Sequence, residues 1–222
     1  MILIFDLDDT LYEERTYVES GLAAVADYGE ATFGWPKAES LRFLTDALER
    51  EGRGRLFDLW LASHGRQSRA GVRACVGVYR AHQPRLELAP AARRMLDLFG
   101  GRAPLYLVTD GHKGVQAAKV EALGLWPAFR KVYITHRYGV KNAKPSIHCF
   151  DLIRRREGCG FEDLVYVGDN PAKDFVGLNP LGVTTVRVLT GMHRDALAPP
   201  GGEARFRIET LDALPSVIGP PP

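Results

Sequence analysis

Apolar positions recur in this chain with two different periods. Ile2, Leu3, Ile4 and Phe5 form a short unbroken apolar run, the mark of a strand buried on both faces. From Tyr12 to about Leu88 the period is helical instead. Val18, Leu22 and Val25 fall at i, i+4, i+7, as do Val72, Val76 and Tyr79, while Leu41, Leu44 and Leu48 fall at i, i+3, i+7. Gly34, Trp35 and Pro36 break this texture, and so does the stretch Glu51 to Arg55. Trp60, between Leu59 and Leu61, reads as core of the same helical segment.

Beyond that segment, strand-like runs alternate with helical ones. Pro104 to Thr109, Lys131 to Thr135, Leu164 to Asp169, Val183 to Val188 and Arg205 to Thr210 are the strand candidates. One helical stretch between them ends at Gly124. Another is expected from Pro145, which suits a first helical position, and another near Pro171. A last one covers Leu211 to Ile218. The pattern predicts an α/β fold with a doubly wound, mainly parallel sheet. The helical segment is then an insertion after the first strand, which divides the chain into 1–12 with 89–222, and 13–88. Only the terminal Gly219 to Pro222 is low in complexity and expected to fray.

Composition narrows the class without naming a chemistry. Over 222 residues the net charge is only +2, so nucleic acid is not an expected partner. No apolar run approaches the roughly 20 residues of a membrane span. Asp6 follows Met1 too soon for the apolar stretch of a signal peptide. Cys75, Cys149 and Cys159 are widely spaced and make no CxxC pair, so they read as reduced, buried thiols. A cytoplasmic protein is expected.

The chemistry gathers at strand ends. Asp6, Asp8 and Asp9 follow the first strand, Thr109 and Asp110 end the second, and Asp169 ends the run from Leu164, with Asp174 a turn later. In a doubly wound sheet these ends share one rim, where ligands bind. Carboxylates crowded there are costly unless a hard divalent cation sits among them, and Mg²⁺ favours such oxygens. A hydroxyl and Lys144 nearby suit a phosphate. Of two basic features, Arg154 to Arg156 fit a helix end, and His112 either caps the helix after Asp110 or touches a substrate.

Together, "DLDDT" (Asp6 to Thr10), "VTDG" (Val108 to Gly111), "KPSIHCF" (Lys144 to Phe150) and "VGDNPAKD" (Val167 to Asp174) resemble, in order, the motifs of the haloacid dehalogenase-like hydrolase superfamily. The insertion after the first motif resembles the helical cap of its subfamily I. The resemblance implies a Mg²⁺-dependent phosphatase acting through an aspartyl phosphate. Asp6 would be the nucleophile and Asp8 the general acid/base, with Thr109 and Lys144 completing the catalytic set. Leu7, Asp8, Thr109, Asp110 and Lys144 would contact the phosphate. Asp6, Asp8 (through its backbone carbonyl), Asp169 and Asp174 would serve the metal, Asp174 as ligand or as support to one.

Lys141 lies close enough in sequence to compete with Lys144, but Pro145 and Phe150 fit the family spacing around Lys144. The presence of Asp8 argues against the dehalogenase and phosphonatase branches of the superfamily. It leaves a phosphatase of small nucleotide or sugar phosphates, a phosphomutase, or a non-catalytic phospho-ligand-binding module. The cap would close over small substrates, with Glu14 and Arg15 as candidate contacts. Oligomeric state is not legible.

Overall fold

The structure, a computed structural model, describes residues 1–220; Pro221 and Pro222, part of the tail expected to fray, lie outside the described residues. Among the described residues, β1 (Ile2–Phe5), β2 (Leu105–Thr109), β3 (Lys131–Ile134), β4 (Leu164–Gly168), β5 (Thr184–Val188) and β6 (Phe206–Ile208) form one sheet in the order β3-β2-β1-β4-β5-β6. Every adjacent pair is parallel. β1, β2 and β4 are buried at every position, which is why they read as unbroken apolar runs.

The sequence direction of the sheet reverses between β1 and β4, and at such a switch point a crevice opens beyond the strand ends. Register levels the two strands there. Phe5 lies opposite Leu107 on one side and Val167 on the other, and the Asp6 amide donates to the Val167 carbonyl at 2.8 Å. The chain divides into two compact units, Met1–Glu14 with Leu86 onward, and Arg15–Arg85.

In the sheet unit, α5 (Pro90–Phe99), α6 (Lys113–Ala122), α7 (His148–Glu157) and α8 (Leu214–Ile218) accompany the strands. α5 starts with Pro90, where a missing N–H costs nothing, and buries Ala92, Met95, Leu96 and Phe99 on one face. α7 carries Arg154, Arg155 and Arg156 in its last turn, where cations complement the helix dipole, and stops at Gly158 with φ 65°. One core cluster joins Ile4, Tyr106, Tyr133, Phe150, Tyr166 and Phe175.

The other unit contains α2 (Lys37–Glu51), α3 (Leu56–Ser63), α4 (Arg69–Ala81) and most of α1 (Glu14–Phe33). Its core holds Val18, Leu22, Val25, Leu44, Trp60, Leu61 and Cys75. Trp60 is fully buried, and a Cβ on Gly29 would come within 2.7 Å of its ring, so glycine is what lets α1 approach so closely. α4 keeps the expected helical period, with Val72 and Tyr79 packed on the core as expected, but Cys75 and Val78 rather than Val76 complete the buried face.

Two expected helix starts are corrected. α7 begins at His148, not Pro145. The Lys144 amide is bonded to the Asp110 carboxylate and its ammonium is drawn inward, which holds the chain in a loop until Ile147. No regular helix forms near Pro171 either. The Asn170 side chain accepts from the Ala172 amide and Asp174 accepts from the Asn170 amide, which closes this segment into turns around the two side chains. Cys75 and Cys149 are buried as expected, but Cys159 is half-buried; all are free thiols.

Candidate active site

The loops after β1 and β4 bring Asp6, Asp169 and Asp174 together, with one oxygen of each within 4.8 Å of the others. All are buried, at 3%, 4% and 1% exposure. Lys144 reaches in from the loop after β3. Its Nζ lies 2.8 Å from Asp6 Oδ1 and 2.8 Å from Asp174 Oδ1, and it donates to the Tyr166 hydroxyl at 2.8 Å. Lys141, the competing lysine, is exposed.

The cluster is short of positive charge. Burial pushes the Asp6 carboxyl up to about 6 against the opposing charge of Lys144. Burial, then the charges of Asp6 and Asp174, push Asp169 up to about 9. Burial would lower Lys144, but Asp174 and Asp6 outweigh it and hold the ammonium charged. Asp174 is saturated: Oδ1 meets Lys144 and the Tyr166 hydroxyl, and Oδ2 accepts from the Asn170 amide. Asp169 differs, since among the described residues no donor is bonded to its carboxylate. An all-oxygen set holding an unbonded buried carboxylate suits a hard divalent cation.

Asp8 stands apart from that cluster, in a group of its own. Its Oδ1 accepts from Lys119 Nζ at 2.7 Å and from the Tyr12 hydroxyl at 2.6 Å, and its Oδ2 accepts from Gln116 Nε2 at 2.8 Å. Burial would raise this carboxyl, but Lys119, with Tyr12 and Gln116, outweighs burial and holds it below the usual carboxylate range. Thr109, 1% exposed, ends β2 and accepts from the same Gln116 Nε2 at 2.6 Å. The fully buried Leu7 turns the chain between Asp6 and Asp8, its carbonyl accepting from the Thr10 and Leu11 amides.

The Asp110 side chain does more than sequence suggested. Its Oδ1 accepts from the Thr135 hydroxyl at 2.7 Å and from the Lys144 amide at 3.1 Å, tying the ends of β2 and β3 to the Lys144 loop. Gln116, Lys119, Tyr12, Tyr166 and Thr135 were all missed by sequence reasoning. Gln116 and Lys119 left a faint signal, polar residues on the inward face of α6 beside Val115 and Val120. His112 occupies the N-cap position of α6 but makes no capping bond through its side chain. Glu14 lies near Lys119, its Oε1 3.4 Å from Nζ, whereas Arg15 is exposed and paired with Glu19 and Glu49.

Known proteins resemble this chain over most of its length. A family model described as haloacid dehalogenase-like hydrolase matches residues 1–182, and the chain belongs to that family. A glyceraldehyde 3-phosphate phosphatase of Methanocaldococcus jannaschii is 29% identical over 201 residues, covering 87% of this chain and 86% of the relative. A protein of the same name from Methanopyrus kandleri is 30% identical over 205 residues, covering 87% and 85%. Among solved structures, a subfamily IA, variant 1 hydrolase of the same superfamily from Geobacter sulfurreducens superposes with a TM-score of 0.71 at 20% identity, covering 98% of this chain and 96% of that one. The magnesium-bound hydrolase YfnB of Bacillus subtilis gives 0.67 at 18% identity, covering 98% and 97%. Among the described residues, no helix is long and apolar enough to cross a membrane.

Proposed function

We propose that this hydrolase is a Mg²⁺-dependent phosphatase of small phosphomonoesters, working through an aspartyl phosphate on Asp6. The observation that carries the reading is Lys144, whose buried ammonium touches Asp6 and Asp174 beside the unbonded Asp169. In this reading Asp8 first takes up the acidic proton of the ester monoanion, against the pull of Lys119; an Asp6 oxygen then attacks phosphorus as the ester P–O bond breaks, and Asp8 passes that proton to the departing oxygen. Water then attacks the phosphoaspartate while Asp8 takes its proton, and inorganic phosphate leaves with Asp6 restored. Thr109, with the amides of Leu7, Asp8 and Asp110, holds phosphoryl oxygens, and Lys144 offsets the charge that Asp6 and phosphate share.

Asp6 and Asp169 would hold the Mg²⁺ with the Asp8 carbonyl, and the saturated Asp174 supports the site chiefly through Lys144 and Asn170. When bound, the ion supplies the positive charge that the carboxylates and phosphoryl oxygens lack. The names of the relatives make a triose phosphate the first substrate to try, ahead of the nucleotides and sugar phosphates suggested by sequence. Free thiols suit a reducing, cytoplasmic setting.

The test is phosphate release from a panel of glyceraldehyde 3-phosphate, nucleoside monophosphates and sugar phosphates, in Mg²⁺ and in chelator. Metal-dependent release from at least one small ester supports the reading. Isomerisation of a sugar phosphate without phosphate release would point to a mutase instead, and no turnover of any ester would overturn the proposal.

A further inference from the structure

α6 buries two polar side chains where a helix against a sheet ordinarily buries apolar ones. Gln116 is 2% exposed and Lys119 also 2%, and they stand three residues apart on one face. Sinking an ammonium to that depth is costly unless it is paired, and the pairing falls on Asp8 at 2.7 Å, with Glu14 at 3.4 Å beyond. Gln116 spends a single nitrogen on two acceptors, Asp8 at 2.8 Å and Thr109 at 2.6 Å. Both Asp8 oxygens are thereby held from one helix face, and Tyr12 adds a third donor from its own loop.

We propose that Gln116 and Lys119 are positioning residues that fix the carboxyl plane of Asp8, relative to Thr109, for proton exchange with the leaving oxygen. The inference rests on the phosphatase reading, in which Asp8 is the acid/base. A free Asp8 side chain would rotate about two bonds, whereas donors on both oxygens leave it one orientation. Gln116 makes that orientation common to the proton donor and to the Thr109 hydroxyl, because one amide group serves both. The competing account is that the pair only fastens α6 to the loop after β1.

Leaving groups separate the two accounts. An alkyl phosphate needs its departing oxygen protonated, while a p-nitrophenyl phosphate departs without that help. The ratio kcat/KM covers steps only up to departure of the leaving group, so slower hydrolysis of the phosphoaspartate does not enter it. The full-length protein would be assayed in Mg²⁺ as wild type, Lys119→Met, Lys119→Arg, Gln116→Met and Asp8→Asn, on glycerol phosphate and on p-nitrophenyl phosphate.

Positioning predicts that Lys119→Met and Gln116→Met lose up to about 10²-fold in kcat/KM on the alkyl ester, and at least about tenfold less on the aryl ester. Lys119→Arg should recover much of the alkyl rate. Equal losses on both esters, tracking loss of thermal stability, would overturn the inference in favour of simple fastening. Gln116→Met adds no unpaired charge and carries the test if Lys119→Met does not fold. Asp8→Asn separates the two levels. If it too shows no leaving-group discrimination, the acid role of Asp8 fails and the inference with it. If it discriminates while the α6 variants do not, the inference alone fails.

Discussion

Gly168 and Asp174 exclude one another's volume: a Cβ on Gly168 would lie 2.6 Å from Asp174 Oδ2. The last residue of β4 therefore has no side chain, and the Asp174 carboxylate lies over it. That placement lets Asp174 meet Lys144, Tyr166 and the Asn170 amide together.

Gly168→Ala should push Asp174 out of register with Lys144. We expect a loss of about 1–3 kcal/mol in stability, typical of overpacking, and a fall in kcat larger than the change in KM. Chemical denaturation and steady-state assays check this, and wild-type values in both would show that the contact relaxes freely.

Asp6→Asn should abolish turnover, since an amide does not attack phosphorus. Asp8→Asn should cost about 10²–10⁴-fold, the usual worth of general acid–base help. Trapping of phosphate on the protein by rapid quench, followed by peptide mapping, checks the nucleophile. Near wild-type turnover in Asp6→Asn would sink the phosphoaspartyl scheme.

Lys144→Ala removes the cation shared by two buried carboxylates, so it should lower both stability, by about 3–5 kcal/mol, and kcat. Lys141→Ala, at an exposed position, should change neither by much. The reverse ranking in paired melts and assays would mean the third motif has been assigned to the wrong lysine.

Two raised carboxyls pull the pH dependence of the metal-free protein in one direction, against the smaller opposing pull of His193, which burial lowers. An unfolded Asp169 loses its proton near the ordinary 3.8, while the folded one keeps it to about 9. Asp6 behaves alike between 3.8 and about 6. Across those windows the folded state binds more protons, so these groups make stability fall as pH rises. In chelator, the melting temperature should be lower at about pH 8 than at about pH 5, and Mg²⁺ should shrink the difference by stabilising the charged forms. Stability that rises over that range in chelator, or a difference that Mg²⁺ leaves unchanged, would contradict this account.

The strands were legible because a parallel sheet buries both faces, and Leu105–Thr109 or Leu164–Gly168 then reads as continuous apolar sequence. Asp6, Thr109 and Asp169 were legible as candidates because they are polar residues that follow apolar strands, and Lys144 because of its spacing to Pro145 and Phe150. Gln116 and Lys119 were not, since the Asp8 carboxylate they share lies more than a hundred residues away and nothing local marks a buried lysine. The expected helix at Pro145 failed for a related reason: local propensity was right, but the Asp110 carboxylate, distant in sequence, holds the Lys144 amide. Tyr166 passed as one more apolar strand residue because its hydroxyl matters only once Lys144 and Asp174 are folded around it.

The register of β1 also bears on how the protein is made. This strand precedes both of its neighbours, and Leu3 pairs with Leu105 on one side and Val165 on the other. On the ribosome, Ile2–Phe5 must wait, unpaired and apolar, while the intervening Arg15–Arg85 unit is synthesised and can collapse on its own core. Only when β2 and then β4 emerge does the strand acquire both edges, and the Asp6 amide reach the Val167 carbonyl. Contacts this long-ranged close slowly. The nascent chain therefore exposes this apolar strand through much of its synthesis, and Asp6, Lys144 and Asp169 come together only once β4 has emerged.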